Sequence, residues 1–228
     1  MSKLFLAGCS FSDNHQAPKN YGSKLATLLG FDYKHLAMGI GSNYRMWRHV
    51  TNNILSGQLT KNDLLVVQYT NVERNEFWSA IERQFPENPE ADISETYIQG
   101  GTILKFKIDS HGWHVNPIEA KFQKIYQDNF LSPTFEQEKF AVNNHMFQCM
   151  LDYHKIKAVF FYSRYLNGYP VLDAYKPYIY YEPKEFINDE STYMDIVTDR
   201  YHLNEYGHTQ LADKLYNHIK SFPSGVLV

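Results

Sequence analysis

The chain has 228 residues, with 43% hydrophobic and 21% charged side chains, a balance that supports a substantial core and excludes wholesale disorder. A formal net charge of −3, with no basic stripe, implies no nucleic-acid surface. No apolar run approaches the roughly 20 residues of a membrane helix, and the run from Leu4 to Ala7 is too short for the core of a signal peptide.

In chain order, residues 3–8 form an apolar run ending at glycine, the pattern of a buried strand entering a turn. Residues 20–29 read as an amphipathic helix with Leu25, Leu28 and Leu29 on one face and Gly30 as its stop. Residues 31–37 read as a second strand, followed by the glycine-rich loop Met38-Gly39-Ile40-Gly41-Ser42-Asn43. Ser42 or Asn43 is placed to cap a helix over about 44–57. Residues 63–69 form a nearly continuous apolar strand, the kind buried on both faces of a parallel sheet. The order β-α-β-α-β predicts a doubly wound α/β domain with helices on both faces.

Residues 85–133 interrupt that rhythm with Pro86, Pro89 and Gly100-Gly101. They predict an inserted hairpin, with Ile103–Ile108 and Trp113–Val115 as its strands. Helical spacing resumes over 134–154, a buried strand is expected at 157–162, and the proline- and tyrosine-rich stretch 163–198 reads as irregular. The last helix is expected at 204–221, with Leu211, Leu215 and Ile219 on one stripe. One domain spanning residues 1–228, with an insertion at about 85–133, accounts for the whole pattern.

The aromatic content is high at 16%, with 18 Tyr, 15 Phe and 3 Trp, which reads first as an aromatic-rich core. The tyrosines from Tyr162 to Tyr181 serve equally as surface cover or as a stacking wall for a sugar. Cys9 and Cys149 are the only cysteines. They form no disulfide framework and no metal-ligand spacing, and His111 and His114 lack further ligands nearby. No metal or organic cofactor is expected.

The most informative segment is Asp199-Arg200-Tyr201-His202-Leu203-Asn204, just before the last helix. A carboxylate three residues before an imidazole can reach back to fix its tautomer and stabilise the imidazolium. Gly8-Cys9-Ser10-Phe11-Ser12 follows the first strand, at the sheet edge where reacting groups of open α/β folds collect. Ser10 needs a base to become a nucleophile, and His202 can supply it. Backbone N–H groups of Ser10 and the glycine loop, with the side-chain amide of Asn71, make the donor set of an oxyanion hole. Cys9 is disfavoured as nucleophile, because a residue beside an exposed serine points the other way. His208 reads as a packing residue. Arg74, beside Glu73 and Glu76, reads as an exposed ion-pair group before an anion site.

These four separated blocks resemble the SGNH hydrolases, the GDSL-type esterase/lipase family. The resemblance runs from residue 8 to residue 212. It implies a three-layer α/β/α sandwich with a mostly parallel, flavodoxin-like sheet. It also implies that Ser10 is the nucleophile, His202 the base and Asp199 the orienting acid, with Ser10, Gly41 and Asn71 forming the oxyanion hole. Cys9 stands where the family usually has Asp. In the glycine loop, Gly39 and Ile40 are alternatives to Gly41, and Thr70 is the fallback for Asn71.

The function expected is a serine esterase acting on a small acyl ester, such as an O-acetyl group on a carbohydrate. The alternatives are a binding or structural module on the same fold and an acyltransferase using the same triad. The expected partner is a small-molecule or glycan ester, with no nucleic acid and no membrane span. The lack of a recognisable leader leans toward the cytoplasm, while other export routes fit equally. The oligomeric state is not set by the sequence.

Overall fold

The computed structural model describes residues 2–9, 12, 19–37, 42–70, 75–78, 101–104, 125, 129, 132–162, 179–181 and 203–222. Five parallel strands form one sheet: β1 (Lys3–Ala7), β2 (Asp32–His35), β3 (Leu64–Tyr69), β6 (Lys157–Tyr162) and β7 (Ile179–Tyr181), in the order β2-β1-β3-β6-β7. A separate antiparallel pair joins β4 (Asn75–Trp78) to β5 (Gly101–Leu104). The helices are α1 (Tyr21–Leu29), α2 (Asn43–Leu55), α3 (Pro133–Tyr153) and α4 (Glu205–Ser221).

Strand alternation sorts the core into two layers. Leu4 and Leu6 of β1, Leu64 and Val66 of β3, and Val159 and Phe161 of β6 face one side. There they meet Leu25 and Ala26 of α1 and Leu211, Leu215 and Ile219 of α4. Phe5, Ala7, Leu65, Val67, Ala158 and Phe160 face the other side, against Met46, Trp47 and Val50 of α2 and Phe140, Phe147 and Leu151 of α3. Every residue of β3 is buried, as a central strand covered on both faces requires. Each such Leu, Val or Phe contributes about 1.5–3 kcal/mol of burial. The expected three-layer α/β/α sandwich is therefore present.

Local signals set the helix ends. Asn20 accepts the Ser23 N–H at 3.0 Å and caps α1, and Gly30 closes it at φ 71°, a conformation that costs glycine little. Ser42, rather than Asn43, caps α2 by accepting the Arg45 N–H at 3.1 Å. Asn204 caps α4 by accepting the Gly207 N–H at 2.8 Å.

Two expectations change, and one pairing is added. Leu28 lies off the buried face of α1, 44% exposed, because residue 28 is rotated about 60° from Leu25, on the side away from Leu29. Residues 101–104 pair with Asn75–Trp78; the expected partner, 113–115, lies outside the described residues. The stretch read as irregular contains β7, which extends the sheet beyond β6 and carries Tyr180 and Tyr181 opposite Phe161 and Tyr162. Much of the aromatic content described is core: Tyr69 stacks on Phe160 at 5.7 Å and meets Phe140 edge-on at 5.4 Å.

Candidate active site

The sheet order places β1 between β2 and β3, so chain connections diverge to opposite sides between β1 and β3. Ligands of open α/β folds bind at the carboxyl ends of the strands at such a switch point. Ser10 follows β1 by three residues and Asn71 follows β3 by two. Gly41 lies between β2 and α2, and Asp199 and His202 precede α4. Ser10, Gly39, Ile40, Gly41, Asn71, Asp199 and His202 lie outside the described residues, as do Arg74, His111 and His114. Cys9 and Ser12 near Ser10, Ser42 after Gly41, Thr70 before Asn71 and Leu203 after His202 are described, and hydrogen bonds tie the segments that carry them.

The first tie holds the turn after β1. The backbone N–H, the carbonyl and the hydroxyl of Ser12 each have a partner. Its N–H donates to the Cys9 carbonyl at 2.9 Å, and its carbonyl accepts from Asn20 Nδ2 at 2.7 Å. Its hydroxyl donates to Gln68 Oε1 and contacts the Tyr21 hydroxyl. Since Ser12 Oγ has one proton and gives it to Gln68, the Tyr21 hydroxyl is the donor in the second bond. Ser12 is fully buried, as are Tyr21 and Cys9, and Gln68 is 3% exposed. Cys9 Sγ faces Gln68 Oε1 at 4.0 Å. Gly8 makes this approach possible, because a Cβ there would lie 2.5 Å from Ser12 Oγ and 3.1 Å from Gln68 Cβ.

The second tie joins the glycine loop to the end of β3. Asn43, at the first turn of α2, donates Nδ2–H to the Thr70 carbonyl and accepts the Thr70 N–H on Oδ1, both at 2.9 Å. Thr70, the fallback for Asn71, thus has its backbone N–H engaged by Asn43. The third tie reaches α4. The Tyr21 N–H donates to His208 Nδ1 at 3.3 Å, and the two rings stack at 5.9 Å. Nδ1 accepts, so in the neutral ring the proton sits on Nε2. His208 is 3% exposed, a packing position. Leu203, next to His202, is buried in the layer that holds α1 and α4.

Sequence reasoning gave no site role to Ser12, Tyr21 and Gln68, and read Asn43 only as a candidate helix cap. The signal for Gln68 was a polar residue inside an otherwise apolar strand. No group of three His, Cys, Asp or Glu side chains placed to hold a metal ion exists among the described residues. Among them, no helix is long and apolar enough to cross a membrane.

A solved structure of a protein assigned to the lipolytic G-D-S-L family, from Desulfitobacterium hafniense DCB-2, is similar to 96% of this chain and 99% of its own, with a TM-score of 0.51 at 7% identity. This chain shares the fold of that G-D-S-L family structure. A second structure, from a lipolytic G-D-S-L family member of Veillonella parvula DSM 2008, covers 97% of this chain and 100% of its own, with a TM-score of 0.42 at 11% identity. No protein-family model matches the sequence, and no curated protein matches it either.

Proposed function

We propose that the protein is a serine hydrolase acting on a small acyl ester. One observation supports this most: flanks of all four blocks, up to 187 residues apart in sequence, are joined by side-chain hydrogen bonds. Ser12 meets Gln68, Asn43 meets Thr70, and Tyr21 meets His208. Such ties suit a site assembled from distant strand ends on a rigid frame. The lipolytic assignment of the structural neighbour agrees in reaction class.

In this reading His202 takes the Ser10 proton as Ser10 Oγ attacks the acyl carbonyl carbon. Asp199 holds the imidazole and stabilises the imidazolium. The electron pair of the carbonyl moves onto oxygen, which sits against the Ser10 and Gly41 N–H groups and the Asn71 amide; one such donor is worth about 3 kcal/mol in the transition state. Collapse expels the alcohol, protonated by His202, and water then repeats the steps to free the acid. An acetyl group on a carbohydrate is the substrate class we favour. The tyrosine-rich composition between Tyr162 and Tyr181 supports that choice, since such rings stack on sugar faces.

The test is labelling of the full chain by a fluorophosphonate, with turnover of p-nitrophenyl acetate alongside. Wild type should be labelled and active, and Ser10→Ala should lose both. Equal labelling of the two would remove Ser10 as nucleophile. A folded wild type with no labelling and no turnover would remove the hydrolase reading.

A further inference from the structure

We propose that Asn43 is a positioning residue, one that sets the spacing of the oxyanion-hole donors by clamping the end of β3 to the start of α2. The inference rests on the hydrolase reading above. Asn43 is 1% exposed and Thr70 is 3% exposed, and the two reciprocal bonds of 2.9 Å between them use both ends of one amide. The two bonds hold the peptide units on either side of Thr70, so they constrain the direction in which the chain leaves Thr70. Gly41 lies two residues before Asn43 and Asn71 one residue after Thr70. One side chain thus links the two loops that carry separate donors.

The helix itself gives no reason for this residue. Ser42 already caps α2, and Asn is a poor helix former inside the first turn. What the amide serves is the loop beyond the strand. Donors in an oxyanion hole act by being preorganised where charge develops. Loosening them lowers the rate of the chemical step and leaves substrate binding nearly unchanged. A displacement of about 1 Å costs on the order of 10²-fold.

The experiment is a double-mutant cycle on p-nitrophenyl acetate hydrolysis by the full chain, with Asn43→Ala, Asn71→Ala and both together. Asn43→Ala should lower kcat by roughly 10²-fold with KM within about twofold. In the Asn71→Ala background the same change should cost at least about 10-fold less, because the donor it positions is gone. Losses that multiply in full would overturn the inference and leave the hydrolase reading standing. If Asn43→Ala does not fold, the near-isosteric Asn43→Asp keeps the acceptor for the Thr70 N–H and faces the Thr70 carbonyl with a second oxygen; the same cycle is then read on it with the same two outcomes. An inactive, unlabelled wild type would overturn both readings together.

Discussion

Gly8 is the position at which a single methyl group tests the frame of the site. Alanine there would place Cβ 2.5 Å from Ser12 Oγ, 3.0 Å from Ser12 Cβ and 3.1 Å from Gln68 Cβ, against about 3.5–4.0 Å for carbon atoms in contact. The nearest atom is no free end of a flexible chain. Ser12 Oγ bonds Gln68 and Tyr21, and the Ser12 backbone is held at Cys9 and Asn20. If the hydroxyl swings away, Gln68 Oε1 and the Tyr21 hydroxyl each lose a buried partner, at about 1–3 kcal/mol per group. If the turn moves instead, overpacking costs about 1–3 kcal/mol. The loss of chain entropy in the unfolded state returns only about 0.4–1 kcal/mol. Gly8→Ala should therefore lose about 2–4 kcal/mol, a large share of the roughly 5–15 kcal/mol that holds a domain folded. Gly30→Ala is the control: its Cβ would meet nothing within 4 Å, and only the left-handed backbone at φ 71° opposes it, at about 1–2 kcal/mol.

Urea unfolding followed by circular dichroism measures both, with linear extrapolation. Ser12→Ala completes a cycle. It removes the atom at 2.5 Å, so Gly8→Ala should cost about 1 kcal/mol or more less in its presence. Stability of Gly8→Ala within about 0.5 kcal/mol of wild type, or strict additivity with Ser12→Ala, would refute the close approach of Gly8 and Ser12.

Asn204→Ala should remove the acceptor of the Gly207 N–H and cost about 1 kcal/mol, which lowers the melting temperature by about 2–4 °C for a chain of this size; an unchanged melting temperature would show that the cap contributes nothing. His218, packed edge-on to Phe222 at 4.9 Å, is held below its ordinary value of 6.5 by burial. The unfolded chain therefore takes up a proton before the folded one. This contribution is neutral above about pH 6.5 and destabilises as pH falls below it. Replacing His218 with Gln should flatten that slope, and urea midpoints at about pH 7.5 and about pH 5.5 read it; a variant slope as steep as wild type would show that the imidazole is not its source.

The long elements were legible because their periodicity is forced by burial. β3 apart from Gln68 and β6 after Lys157 are apolar because both faces are covered, and α4 shows Leu211, Leu215 and Ile219 at helical spacing because one face is. Gly30 and Asn204 declared helix ends through backbone and capping chemistry that acts within a few residues. β7 was not legible. Its three residues sit among prolines and tyrosines, and it becomes a strand through pairing with β6, an interaction that no local window contains. The pairing of residues 101–104 with 75–78 was not legible for the same reason. Two short strands can pair in several ways, and turn chemistry between 78 and 101 does not select one.

The frame of the candidate site was illegible for a different reason. Ser10, Asn71, Asp199 and His202 belong to types whose chemistry announces a reacting centre. Ser12, Gln68, Tyr21 and Asn43 are ordinary until a fold fixes their partners. Gln68 inside β3 is a cost by itself, since a buried amide without partners loses its bonds to water. With Ser12 and Tyr21 supplied from the other side of the switch point, the same amide becomes the anchor of the turn after β1. Asn43 follows the same logic at the next loop. Buried polar side chains near the carboxyl ends of adjacent parallel strands thus do for the loops what apolar side chains do for the layers. They hold in one geometry segments that sequence distance leaves free. That division explains why the fold can persist under a sequence only 7% identical to that of a structural neighbour: the layers need apolar periodicity of many possible compositions, while in this chain each loop needs one satisfied polar tie.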